Sequence, residues 1–200
     1  MRGWPACRSA NDSRRQPLVD YPLAGPASRY DDATVSSVPE EITPQDLVFL
    51  RRAIQLAREA RADGRHPFGA LVVSPQGETL VEAYNNAVLP RGDPTQHAET
   101  VACAMAARLL SVAELSRCTL YASTEPCAMC AGAIYWTGIG RVVFALPETA
   151  LLRYTGSHEQ NPTLDIPCRE IFVRGQRRIA VAGPALEEEA GKVHEGFWTS

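Results

Sequence analysis

Between Thr43 and Gly64 the apolar residues Leu47, Leu50, Ile54, Ala57 and Ala60 recur at the three-to-four spacing of one helical face. Thr43-Pro44 supplies a capping hydroxyl followed by proline at the first helical position, and Asp63-Gly64 supplies a stop. The pattern then becomes strand-like. PFGALVV (67–73) and ETLVEAY (78–84) flank SPQG, which predicts a β-hairpin. A second helix is predicted from about His97 to Leu110, a short buried strand at CTLYAS (118–123) and a third helix over 128–137. RVVFAL (141–146) reads as another strand and LLRYTG as a short turn of helix.

Residues 155–168 read as a long loop carrying two prolines, RRIAVAG (177–183) as a last strand, and PALEEEAGKVHEGFW as a final helix beginning at its proline. The order α-β-β-α-β-α-β-(α)-β-α describes an α/β domain of three layers, with strands joined through helical crossovers. Residues 1–42 are rich in Arg, Asp, Ser and Pro and follow neither apolar period. They are expected to form a disordered or extended tail, with a single domain over 43–200.

Composition narrows this only a little. An apolar fraction of 45% and a charged fraction of 22% are those of an ordinary globular protein. A formal charge of -3 gives no general attraction to nucleic acid, so a nucleic-acid partner is not expected. No stretch is apolar enough for a membrane span, and SRRQPLV near the N-terminus lacks the apolar run of an export signal. Six cysteines in a chain with a full apolar complement favour a reduced, cytoplasmic setting, where clustered cysteines point to metal or catalysis.

Chemistry concentrates in two segments. In STEPCAMCAGAIYW (123–136), Cys127 and Cys130 stand three apart behind a proline at a helix start. Such a pair serves equally in a disulfide, a structural zinc knuckle or a catalytic metal site. Thirty residues upstream, HAET (97–100) places His97 and Glu99 at the start of another helix. His97 with Cys127 and Cys130 makes a three-ligand zinc set with one position open, the catalytic arrangement. Helix N-termini favour thiolate over thiol. Glu99, two residues beyond His97, is placed to carry protons beside a water on the metal.

HPFGA (66–70), YNN (84–86), DPTQHAE (93–99), TLYASTEPCAMCAGAIYW (119–136) and GRVVFA (140–145) resemble the cytidine and deoxycytidylate deaminase superfamily. The similarity is greatest to the branch of bacterial guanine deaminases, cytosine deaminases and tRNA adenosine deaminases. H-x-E…P-C-x-x-C is that superfamily's general signature. The resemblance implies a three-layer α/β/α sandwich on a mixed five-stranded sheet. It implies one zinc ion per chain on His97, Cys127 and Cys130, Glu99 as the proton shuttle, and a homo-oligomer, most often a dimer. It also implies that Asn86 hydrogen-bonds the base, with Asn85 as the competing assignment, and that Phe68 and the backbone near Ala70, Ala98 and Ser123-Glu125 help line the pocket. Trp198, near the C-terminus, is expected to close over the site or to anchor the last helix.

The implied reaction is hydrolytic deamination of a small heterocyclic amine, a guanine- or cytosine-like base or nucleoside. Asp165 in the proline-bearing loop is the candidate base-reading carboxylate, with Glu148 sitting a little early for that role. Two alternatives stand beside this. A tRNA adenosine deaminase would need phosphate contacts, against which the run Glu187-Glu188-Glu189 argues. A zinc-stabilised, non-catalytic nucleobase-binding scaffold would not need Glu99.

Overall fold

The computed structural model describes residues 41–88, 92–156 and 158–199. The expected tail, residues 1–42, lies almost wholly outside the described residues. The first helix, α1 (Pro44–Ala62), has Thr43 as its N-cap, and Thr43 and Asp46 close a reciprocal capping box. Strands β1 (Gly69–Val73) and β2 (Thr79–Tyr84) form the hairpin. Then follow α2 (Ala98–Leu109), the one-turn α3 (Val112–Leu115), β3 (Thr119–Thr124), α4 (Ala128–Thr137) and β4 (Arg141–Leu146). The chain continues through α5 (Glu148–Thr155), α6 (Cys168–Phe172), β5 (Ala180–Ala182) and α7 (Glu187–Gly191).

The five strands lie in the order β2-β1-β3-β4-β5. β1 runs antiparallel to both β2 and β3, whereas β3, β4 and β5 are parallel, so the sheet is mixed as expected. On one face Leu50, Ala53, Ile54 and Ala57 of α1 pack against Leu71, Tyr121 and Val143, joined by Val193 beyond α7. On the other, Ala98, Ala102 and Ala106 of α2 and Ile134 of α4 pack against Ala70, Leu120 and Phe144. The small side chains of α2 let it lie close to the sheet. Gly69 does the same for α1, since a Cβ there would stand 2.4 Å from the Ala53 carbonyl oxygen.

The two layers are tied at one end by a buried polar network. Asp46 receives two hydrogen bonds from Arg141 (2.7 and 3.0 Å) and one from the Tyr121 hydroxyl (2.6 Å). Burial would raise the Asp46 pKa, but these bonds and those from Thr43 outweigh it and hold the carboxyl well below its ordinary value.

Four elements depart from the sequence expectation. α3 and α6 are single turns too short for a periodic signal. α5 starts three residues ahead of the LLRYTG turn, at Glu148. The last helix begins at Glu187 rather than at Pro184, because Leu186 takes a left-handed conformation (φ 60°) that helical geometry cannot continue through. Within α7, Glu189 pairs with Arg51 (3.2 Å) and Glu188 with Lys192 (2.7 Å), so part of the acidic run is held in surface ion pairs.

Candidate active site

His97 and Cys127 are the N-caps of α2 and α4, positions where Ser, Thr, Asn or Asp would bond the helix's free N–H groups. Neither side chain makes a capping bond, so both are left free to point away from their helices. Cys130, one turn into α4, completes the group. The Nδ1 of His97 and the two sulfurs are mutually 3.6 Å apart. Tetrahedral zinc with bonds of about 2.3 Å to sulfur and about 2.0 Å to nitrogen requires ligand-to-ligand edges of about 3.5–3.8 Å. The triangle fits such an ion without rearrangement.

These cysteines are not disulfide-bonded. Hydrogen bonding by Cys130, followed by that of the His97 ring, outweighs burial and draws the Cys127 thiol down to about 4, while Cys130 itself is pushed up. Glu99, only 6% exposed, holds its Oε2 3.6 Å from the Cys130 sulfur, beside the triangle. Burial, reinforced by the Cys127 charge, raises its carboxyl to about 7.

The triangle opens into a cavity of about 690 Å³. Phe68 stands at the entry to β1, Thr124 ends β3, Glu125 follows it, and Glu148 begins just past β4. The cavity therefore lies outside the carboxyl ends of two adjacent parallel strands, the usual place for ligands in open α/β sheets. A further wall comes from the loop 159–164, where Glu159 to Leu164 border the cavity. Glu125 is bound on both oxygens: one accepts from the Glu148 backbone N–H (3.2 Å) and the other from that of Cys168 (3.1 Å). It fastens α5 and α6 to the end of β3.

The other residues singled out in the sequence fall in different places. Ala70 and Ala98 are wholly buried in the α2-side core and do not border the cavity. Asn86 is half-buried behind the bordering Ala87 and Val88. Its amide accepts from Arg65 and donates to Gln96 (2.7 Å). Asn85 is buried and accepts from the Ala87 N–H (2.8 Å), an Asx-type turn. Asp165 is exposed and does not border the cavity.

Trp198 is buried against His66, Phe68, His158 and His194, one layer behind the cavity wall, with its indole N–H donated to His194 Nδ1 (3.3 Å). Sequence reading passed over His66, which borders the cavity and meets Gln160 through Nε2 (3.2 Å), and the loop 159–164. It also undervalued Glu148. The available signal was Pro147-Glu148, a helix start directly after a fully buried strand.

Residues 43–146 match the family model described as the cytidine and deoxycytidylate deaminase zinc-binding region. The chain is 42% identical over 158 residues to a probable cytosine deaminase of Schizosaccharomyces pombe, covering 79% of this chain and 95% of that protein. It is 44% identical over 102 residues to a guanine deaminase of Bacillus subtilis, covering 50% of this chain and 64% of that protein. A solved guanine deaminase from Nitrosomonas europaea shares the fold, with a TM-score of 0.63 over 84% of this chain and 92% of the other at 24% identity. The α/β/α sandwich, the His/Cys/Cys triangle and these matches agree: the chain belongs to the cytidine and deoxycytidylate deaminase family, zinc-dependent hydrolases of carbon–nitrogen bonds.

Proposed function

We propose that the protein deaminates a small, uncharged nucleobase or nucleoside of the guanine or cytosine kind, with His97, Cys127 and Cys130 holding one zinc ion per chain and Glu99 moving the protons. The observation that carries this reading is the charge of the cavity beside the metal triangle. Glu99, Glu125, Glu148 and Glu159 border it, and no Lys or Arg does among the described residues. Among the described lining residues phosphates would meet acidic side chains and no Lys or Arg, which disfavours a nucleotide or a tRNA as substrate. The names of the S. pombe and B. subtilis relatives, a cytosine and a guanine deaminase, point the same way.

Zinc held by His97, Cys127 and Cys130 would supply a Lewis acid and would lower the pKa of a water there towards about 7. Glu99 would accept a proton from the attacking water and pass it to the ring nitrogen beside the amine-bearing carbon. The water oxygen bonds that carbon. Glu99 then takes the remaining hydroxyl proton and gives it to the amine, the C–N bond breaks, and ammonia leaves a ring carbonyl behind. Per turnover, one water is consumed and one ammonia released. Phe68 offers an apolar wall for a planar ring. No helix of the described residues is long and apolar enough to cross a membrane; a cytoplasmic setting and a homodimer are part of the same proposal, on the family resemblance alone.

The test is ammonia release by zinc-loaded protein from guanine, cytosine, adenine, their nucleosides and a tRNA anticodon stem-loop. Release from a small ring is expected, with a loss of roughly 10⁴-fold in Glu99→Ala at unchanged zinc content. Release only from the stem-loop would overturn the substrate assignment. Full activity of Glu99→Ala would overturn the mechanism.

A further inference from the structure

Guanine and cytosine each carry a ring carbonyl that the reaction leaves in place, and a carbonyl taken out of water needs a donor. Side-chain donors are scarce in this cavity. Its four glutamates offer acceptors when ionised, and no Lys or Arg borders it among the described residues. Asn86 does not border it, and its carboxamide is engaged by Arg65 and Gln96. Thr124 Oγ1 and Thr163 Oγ1 lie in the wall but are closed off from solvent. With His97 in the metal triangle, there remain His66 and the amides of Gln160 and Asn161. Both amides lie in the loop 159–164, beyond the residues 43–146 that match the family model.

The two amides differ in how they are held. Gln160 Oε1 lies 3.2 Å from Nε2 of His66. That oxygen can only accept, so Nε2 carries the hydrogen of the bond and the His66 donor is taken. His66 is itself only 6% exposed and is wedged against Trp198 and Phe197, with ring centroids 5.1 and 6.1 Å away. A fixed ring therefore holds the oxygen end of the Gln160 carboxamide, and the NH2 end is left without an acceptor among the described residues. Asn161 is bonded there through its backbone N–H alone, so a ligand would have to order its side chain. Resting on the function proposed above, we infer that Gln160 is a specificity-determining residue whose NH2 group donates to the ring carbonyl of the bound heterocycle, with His66 as the positioning residue that orients it. Rings of the same frame that lack the carbonyl gain nothing from this bond.

The experiment compares wild type with Gln160→Ala, Gln160→Glu, His66→Ala and Asn161→Ala on two pairs of rings: guanine with 2-aminopurine, and cytosine with 4-aminopyrimidine. Each pair keeps the amine to be removed and differs in the carbonyl. KM and kcat are read separately, with Ki in place of KM for a ring that is not turned over. On the carbonyl-bearing ring that is the substrate, Gln160→Ala should raise KM by roughly 3- to 10-fold, the worth of a neutral hydrogen bond. On its partner the same variant should change KM or Ki by less than about twofold, because no bond remains to be lost. Gln160→Glu keeps an acceptor for His66 but has no N–H to give, so it should be at least as poor as Gln160→Ala on the carbonyl-bearing ring. His66→Ala should show the same selectivity, and adding it to Gln160→Ala should raise KM no further. A purely structural pair would instead lower the melting temperature and weaken both rings alike; equal losses within each pair, or a selective loss in Asn161→Ala rather than Gln160→Ala, would overturn the inference. Absence of ammonia from wild type on every ring would strike the proposed function on which it rests.

Discussion

Asp46 and Glu148 expose 2% and 6% of their surface, so both are buried carboxylates, but their surroundings differ in kind. Asp46 is met by Arg141, Tyr121 and Thr43, and its charge is neutralised at 2.7 Å. Glu148 faces other acids and a cavity, with no donor among the described residues. The first arrangement is closed: nothing further can bind there, and its work is to hold the start of α1 against β3 and β4. The second is open. Burial, followed by the charges of Cys127 and the neighbouring acids, pushes the Glu148 carboxyl up to about 7. Glu125 lies between the two, placed at the cavity but bonded by two backbone N–H groups.

The comparison breaks first at Asp46. Asp46→Ala removes the carboxylate that faces the buried Arg141 guanidinium, and removal of one partner of a buried pair is expected to cost about 3–5 kcal/mol in denaturant unfolding. The folded fraction should still release ammonia at the wild-type rate, because no cavity residue is touched. A stability change below about 1 kcal/mol would show that water replaces the carboxylate there.

Next comes pH. His194 is 1% exposed and accepts the Trp198 indole N–H on Nδ1, a bond only the ring with a lone pair there can make. Burial depresses its pKa to about 3 from an ordinary value near 6.5. Because the folded value is the lower one, the unfolded chain binds the proton first as pH falls. The contribution of neutral His194 is thus complete above about pH 6.5 and is lost as pH drops towards 3. Between pH 7 and pH 5 the loss is about 2 kcal/mol. His66, lowered chiefly by burial, adds to the slope with the same sign. His194→Gln, measured by urea unfolding across that range, should flatten the curve, and an unchanged slope would count against the assignment.

The smallest effect belongs to the cap that feeds the Asp46 network. Thr43 Oγ1 accepts from the Asp46 N–H (3.2 Å), so Thr43→Ala should cost about 1 kcal/mol in the same assay, without altering KM.

Much of this architecture was legible before any coordinates. Helix α1 has one apolar face and explicit start and stop residues. Helix α4 and strand β4 fall on 128–137 and 141–146 as read, because proline and glycine bound them. The short elements were not legible: a turn of helix such as α6, in Cys168–Phe172, is decided by what it docks on. The same holds for the end of the chain. An apolar-aromatic ending reads equally as a lid or an anchor, and in the structure Trp198 packs on His66, Phe68 and His194 behind the cavity.

By itself the sequence determined the element order, the helix that opens at His97 and the one that opens at Cys127, and the residue types able to hold zinc. These are local matters, set by spacing, caps and side-chain chemistry within a few residues. Only the tertiary structure decided that three donor atoms spread over 33 residues of chain close to 3.6 Å, that the Glu125 carboxylate is bonded, and that no donor among the described residues bonds that of Glu148. Whether a buried charge is met depends on which distant N–H groups packing brings to it, and no spacing along the chain encodes that.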